Sequence, residues 1–433
     1  MKRIIILTTA LVFGLSINAQ NWIEDSVTLE NKSVKQIYYS FKTQNQHVAD
    51  AVGWDLAFSV QNTIIPNQTL QATTIRVNNG KSVKVYLAPD SIDVSNFSAL
   101  DTTGYKSTWT ELLDSDSTWD IGAFNTGLDL TIPPSMGGPK YGWGNYDEDS
   151  HDVKSLGRVY LIVRGNVFRK LYFGDLVGDN TYHFTYADLD NNNQHTDSIK
   201  KSAYPDRYFV YYDLTNKTVK DLEPSKADWD VVFTNYWTLV HSPMGPSQMM
   251  SYPGTLSKKG VKVARIENEL LDSAWGATRN FTEQINTIGG DWKTHVFDSL
   301  GSRYVYKDSL SFVIDNGGDS LYLLHFTRYG GSANTRMVFE FQKTAKPVGP
   351  IDGVAIVSKS NLLVYPNPVS SELFLDVEGI AQIQILDLQG KTIINKELNH
   401  TNKIDVSNLP NGLYIIKVIM NNDVYTSKIL KAN

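Results

Sequence analysis

Two stretches, Gly53-Trp54-Asp55-Leu56-Ala57-Phe58 and Asp228-Trp229-Asp230-Val231-Val232-Phe233, decide how this chain is read. Both carry the apolar, aromatic and β-branched pattern of a strand with a buried face. Each is preceded by a tyrosine pair, Tyr38-Tyr39-Ser40-Phe41 in the first case and Tyr211-Tyr212-Asp213-Leu214 in the second. After each comes a matching strand, Val83-Lys84-Val85 or Val261-Lys262-Val263, and then a tryptophan, Trp143 or Trp292. Two closing strands follow, at 160–163 and 170–173 in one case and at 312–314 and 322–326 in the other. Order and residue type agree, so the chain reads as two tandem copies of one β domain, 21–203 and 204–345. The period is far longer than that of solenoid repeats, so each copy is expected to hold its own core. Strict alternation puts Trp54, Leu56 and Phe58 on one face. That predicts Trp54 as a core anchor and Asp55 as a turn or edge partner.

Working outward, the pattern stays β. Runs rich in Val, Ile, Tyr, Phe and Thr at 36–41, 83–87, 159–163, 208–212, 310–314 and 321–327 are separated by Gly, Asn, Asp and Pro clusters. Residues 265–271 offer at most a helical turn or two, because i, i+3, i+4 spacing is not sustained there. Pro347, Gly349, Pro350 and Gly353 mark a linker at 346–360. Residues 361–433 then read as a third unit, a small sandwich with strands near 373–377, 381–386, 391–398, 403–406, 412–419 and 424–430. The fold class is all-β.

The chain has 433 residues, 41% of them hydrophobic and 20% charged, which suits several packed domains and not a disordered polymer. The net charge of −6 is spread without blocks, which argues against nucleic acid and against a polybasic membrane contact. There is no cysteine, which excludes a disulfide framework, a thiolate nucleophile, thiolate metal sites and a lipidated amino-terminal Cys. Residues 1–20 read as a secretory signal peptide: Lys2 and Arg3, an apolar run over 4–15, and a cleavage point at Ala19-Gln20. That run is too short to span a bilayer, and no later segment reaches transmembrane length. A soluble exported chain is expected.

Two resemblances sharpen this reading. The last unit resembles the C-terminal sorting domain of the type IX secretion system of Bacteroidetes. The likeness is carried by Val364-Tyr365-Pro366-Asn367-Pro368, Ile385-Leu386-Asp387-Leu388-Gln389-Gly390-Lys391, Leu409-Pro410-Asn411-Gly412-Leu413-Tyr414 and Lys428-Ile429-Leu430-Lys431. It implies passage across the outer membrane by that machinery, to the cell surface or the medium. The paired domains resemble the HmuY-like haem-binding family, through the Trp-Asp-hydrophobic-Ala-Phe strand and through Trp143-Gly144-Asn145-Tyr146 with Gly157-Arg158-Val159-Tyr160. The second copy departs from that pattern, with Val232 where Ala57 stands.

The second resemblance implies haem capture, with His or Met holding the iron between apolar and aromatic walls. The candidates in the first copy are His151 and Met136. In the second copy they are His241, in the loop His241-Ser242-Pro243-Met244, together with Met249 and its neighbour Met250, and His295. His151 and His241 are the leading candidates for iron. Counted from the shared tryptophans, His295 stands where the first copy has Tyr146, and Leu300 where it has His151, so the copies do not share one ligand set. Asp188-Leu189-Asp190-Asn191-Asn192-Asn193-Gln194 has the opening of a calcium loop, but Asn193 replaces its turn glycine and Ile199 its closing acid. A polar connector is the better reading. No Gly-x-Ser-x-Gly elbow, His-Glu-x-x-His, phosphate loop or dinucleotide fingerprint occurs, so no enzyme activity is expected. The alternatives to a haem-binding protein are a structural or adhesive surface protein without cofactor and a carbohydrate-binding module.

Overall fold

The computed structural model describes residues 22–65, 68–132, 136, 138–241, 246–269, 274–276, 279–299, 301–346, 364–375, 380–387, 391–399, 403–420 and 423–432. The expected leader at 1–20, most of the 346–360 linker and residues 242–245 lie outside them. The chain is all-β. Residues up to Ala345 form one compact unit and those from Lys346 another.

The first unit contains two sandwiches with the same strand order. In one, the sheet His195–Lys200, Thr181–Asp188, Val167–Phe173, Val159–Arg164, Val83–Leu87, Thr110–Leu112 packs on the sheet Thr218–Lys220, Phe209–Asp213, Leu56–Ser59, Ile75–Val77. In the other, Ile23–Thr28, Arg336–Ala345, Ser320–Tyr329, Leu310–Asp315, Lys262–Glu267, Phe281–Thr282 packs on Gln46–Asp50, Lys35–Tyr39, Val231–Val240, Gln248–Ser257. The strand Lys262–Glu267 occupies part of the stretch where a helical turn had been the most to expect. Both of its faces are packed, Val263 in the sandwich core and Ala264 and Ile266 in a second cluster on the other side of the sheet.

Each tyrosine-pair strand lies against the Trp-Asp strand of the other copy. Tyr211 pairs with Ala57 and Tyr212 with Leu56, while Tyr38 pairs with Val232 and Tyr39 with Val231. The registers are equivalent. One sandwich is therefore built from 56–220, and the other from 23–50 together with 231–345. The repeat boundary at 203/204 falls between two strands of a single sandwich.

Buried carboxylates hold these junctions. Asp55 Oδ2 accepts from the Leu214 amide and Asp230 Oδ2 from the Phe41 amide, each at 2.8 Å. Asp55 also pairs with Arg164 at 2.8 Å. Asp230 also accepts from Asn316 Nδ2 at 3.0 Å. The second tyrosines match as well, Tyr39 donating to Asp25 and Tyr212 to Asp197, both at 2.7 Å. The expectation of Asp55 as an edge partner describes this role.

The expectation for Trp54 does not hold. Leu56 and Phe58 point into the sandwich core, whereas Trp54 packs with Ala57 and Tyr211 on the opposite side. Residues 51–53 and 55 are bends and Trp54 is not in a strand, so alternation does not extend back to it. The tryptophans at the centres of the cores are Trp143 and Trp292. Trp143 lies 5.8 Å from the Phe173 ring, and Trp292 stacks on Phe326 at 4.1 Å. Full burial of each apolar side chain in these cores contributes about 1.5–3 kcal/mol.

The second unit is a small sandwich. One sheet holds Val364–Tyr365, Glu372–Leu375 and Lys403–Asp405, and the other holds Thr392–Asn399, Ile380–Leu386, Gly412–Met420 and Asp423–Lys431. Leu373, Leu375, Ile383, Ile385, Ile404, Ile416 and Ile429 fill its core. The motif residues shape its turns: Asn367 bonds the Leu430 amide (2.8 Å) and the Lys428 carbonyl (2.9 Å), Asp387 the Lys391 amide (2.8 Å), and Tyr414 the Pro410 carbonyl (2.9 Å).

Asp230→Ala strands the Phe41 amide in a buried position, so it should cost about 1–3 kcal/mol in urea unfolding. Asp55→Ala should cost more, because it also leaves Arg164 without its carboxylate. A change within about 0.5 kcal/mol for both, the scatter of neutral surface substitutions, would show that these carboxylates do not hold the exchanged strands.

Candidate functional site

Two cavities in the first unit gather polar and aromatic side chains. The larger is a groove of about 1680 Å³, counted with its open mouth, on the second sandwich. One wall is the hairpin Val231–Val240 with Gln248–Ser257, whose residues beyond Phe233 run past their pairing with Lys35–Tyr39. The other is the hairpin Lys293–Asp298 with Gly301–Tyr306. Tyr236, Tyr252 and Tyr304 line the groove, and it brings together His241 and His295. His241 Nδ1 lies 2.8 Å from Ser247 Oγ, and His295 Nε2 lies 2.7 Å from Ser302 Oγ. Each serine engages one ring nitrogen of its imidazole.

Met250 lines the groove, while Met249, the residue singled out in the sequence, does not. Adjacent strand residues face opposite ways, and Met249 is half-exposed on the far side. Cations cluster at the groove floor. Arg265 grips Asp291 through two bonds of 2.9 and 2.8 Å, and Lys307 stands 3.6 Å from the same carboxylate. Burial opposes ionisation of Asp291, but the Arg265 hydrogen bonds and charge outweigh it and hold the carboxyl below its usual range. Lys293 donates to the Pro253 and Gly290 carbonyls at 2.7 and 3.0 Å, with the Tyr252, Trp292 and Tyr329 rings within 4.4–4.9 Å. Burial draws its ammonium down to about 7.

The first-copy candidates are placed differently. His151 has a left-handed backbone (φ 57°), and its Nδ1 lies 2.7 Å from Tyr146 Oη. Met136 is 76% exposed. Neither lines either cavity. Gly138 closes over the Tyr146 ring, where a Cβ would come within 2.7 Å. The calcium-like stretch is the turn of a hairpin, with the Lys170 ammonium 2.6 Å from Asn191 Oδ1. Among the described residues no group of three or more His, Cys, Asp or Glu side chains is arranged to hold a metal ion.

The second cavity lies in the seam where the two four-stranded sheets face each other, and the sequence did not point to it. Tyr38 packs edge-on to Trp229, and Trp54 edge-on to Tyr211, both at 4.9 Å. Between them Tyr38 Oη lies 3.0 Å from Tyr211 Oη. Glu223 is buried here, accepting from the Tyr208 amide (2.8 Å), the Phe209 amide (3.1 Å) and the Tyr211 hydroxyl (3.1 Å). Burial outweighs these bonds and pushes its carboxyl up to about 7. The signal available in sequence was the repeated Tyr-Tyr and Trp-Asp pairing, which marks the seam's aromatics but not Glu223.

Comparison with known proteins bears on the second unit. Residues 363–432 match the secretion system C-terminal sorting domain. That domain directs type IX export, so the protein is delivered to the outer cell surface or secreted. No curated protein matches the chain. Among the described residues no helix is long and apolar enough to cross a membrane.

Glu223 gives the seam a pH signature. Its folded pKa of about 7 lies above the ordinary 4.5, so the folded state holds this proton more tightly. Its contribution is full below about pH 4.5 and is lost as pH rises to about 7, a change of about 3 kcal/mol at most. Urea unfolding of the wild type and Glu223→Gln across that range should show the wild type losing stability relative to the variant. Parallel curves would place the titration elsewhere.

Proposed function

We propose that this is a binding protein displayed or released by type IX secretion, and that its second-sandwich groove takes haem or a similar flat ring bearing carboxylates. The observation that carries the reading is that His241 and His295, far apart in sequence, line one groove with Met250 and three tyrosines. Neutral imidazole is a ligand for haem iron, and a thioether can serve beside it. The tyrosines offer ring faces to a flat macrocycle. Arg265 and Lys307 stand at the groove within an ion-paired cluster with Asp291 and Glu267, so the carboxylate arms of such a ligand would compete with these carboxylates for the two cations. The first sandwich gives this reading less support, since His151 and Met136 line neither cavity and Met136 stands in solvent.

A second reading, adhesion without cofactor, draws on the groove's surroundings. Phe297 is 71% exposed, and Leu239 and Met249 are also exposed on the adjoining hairpin. Apolar side chains displayed this way suit contact with another macromolecule.

Titrating the full chain with haemin should give a Soret band that saturates at one haem per chain. His241→Ala and His295→Ala should each weaken binding at least tenfold or shift the band, while His151→Ala should leave it unchanged. No saturable band would favour adhesion. Separately, removing 364–433 should leave the protein in the periplasm by cell fractionation. Unchanged surface delivery of the truncated chain would mean that export relies on another signal.

A further inference from the structure

The seam between the sandwiches holds a cleft of about 880 Å³ counted with its open mouth, and the centre of a water-sized sphere can reach about 80 Å³ of it. A single buried water needs only about 10–15 Å³. The polar atoms around the cleft fall into two sets. The charged groups already have partners: Arg76 pairs with Asp114 at 3.5 Å, donates to the Ser115 and Thr118 carbonyls and lies over the Trp119 ring, Lys259 pairs with Asp120, Lys81 donates to the Lys32 carbonyl at 3.0 Å, and Asp116 accepts from Thr238 at 2.5 Å. Glu223 accepts the three bonds described above.

The neutral set is not matched. Trp54 Nε1, Trp229 Nε1, Trp237 Nε1 and Asn235 Oδ1 are buried and have no hydrogen-bond partner among the described residues, and all four side chains line this cleft. Trp229 is 97% buried by residue, at 3% exposure. A buried indole N–H left unpaired costs about 1–3 kcal/mol, so four such atoms at one cavity mark a place where something else supplies the bonds.

We propose that this cleft binds a neutral, hydroxyl-bearing ring, a single sugar or the terminal sugar of a glycan. Three donors and one acceptor, all uncharged, ask for a ligand with several acceptor oxygens and at least one O–H. Aromatic walls at Trp54, Trp229 and Tyr211 offer faces for the C–H side of a sugar ring. An ionic ligand would find Arg76 and Lys259 already paired with Asp114 and Asp120, Asp116 accepting from Thr238, and Lys81 bonded to the Lys32 carbonyl. The site is separate from the His241–His295 groove, and it is made by both sandwiches: Trp54 and Tyr211 come from one, Trp229, Asn235 and Trp237 from the other.

The test is a titration of the full chain with glucose, galactose, mannose, N-acetylglucosamine and, as the charged control, glucuronate, up to tens of millimolar. Binding is followed by calorimetry and by the indole N–H signals of ¹⁵N-labelled protein, which has nine tryptophans to observe. A neutral sugar should shift the signals of Trp54, Trp229 and Trp237 along one saturable curve. Trp54→Phe, which keeps an aromatic face but removes the N–H donor with the five-membered ring, should weaken binding at least tenfold, the scale of one lost hydrogen bond. Glucuronate should bind at least tenfold less tightly, and a His241→Ala, His295→Ala double variant should bind the sugar as the wild type does. Trp229→Phe risks the packing on Tyr38, so the wild-type indole shifts carry the test if that variant fails to fold. If no sugar moves these three signals, if glucuronate binds as well as the best neutral sugar, or if Trp54→Phe leaves affinity unchanged, the cleft holds only water and the proposal fails.

Discussion

Asp55 and Asp230 each spend a buried carboxylate on the backbone of a strand supplied by the other copy of the repeat. Taking such a group out of water is costly unless its oxygens are bonded, and both residues resolve this in the same way, on the amide that follows a tyrosine pair. The first tyrosine of each pair then faces the seam and the second faces a core. The two sandwiches meet through the seam-facing tyrosines, hydroxyl to hydroxyl at 3.0 Å. The groove hairpins and the seam cleft are both set by this exchange, because the strand Val231–Val240 pairs with Lys35–Tyr39 at one end and carries the groove wall at the other.

Much of the fold was legible because it follows from local pattern. The strands at 83–87, 159–163 and 310–314 sit within about a residue of their expected bounds, since alternation and turn residues speak directly to a sheet with one buried face. Six strands of the small terminal sandwich were legible for the same reason, while the short strand Val364–Tyr365 was not. The repeat itself was visible in Tyr-Tyr and Trp-Asp. The partner of each strand was not, because pairing across the repeat depends on contacts between distant residues that no local spacing encodes. Trp54 was misassigned for a different reason: the alternation argument assumed extended chain where residues 51–53 and 55 bend.

The candidate site was partly legible. His241 and His295 were chosen for their side-chain chemistry and proved to line one groove, while Met249 gave way to its neighbour because only strand register decides which of two adjacent side chains faces in. His151 and Met136 carried suitable chemistry without a shared cavity. Glu223 carried no signal at all, being a single acidic residue in an unremarkable stretch. Its environment is made by Tyr208, Phe209 and Tyr211 from its own neighbourhood and by Tyr38 from far away.

The nesting of one sandwich inside the other sets an order of assembly. Residues 56–220 are complete in themselves once they have emerged, whereas Ile23–Thr28 must wait for Arg336–Ala345, its only neighbour in the sheet. Pairings this distant form slowly, and a sheet lacking its last member presents an open edge to any other chain. In the sequence, the sorting domain comes after the strand that closes the second sandwich. By the time the address at the far end has left the ribosome, the piece needed to seal that edge is already present, so a chain bearing a readable address is also one able to finish folding.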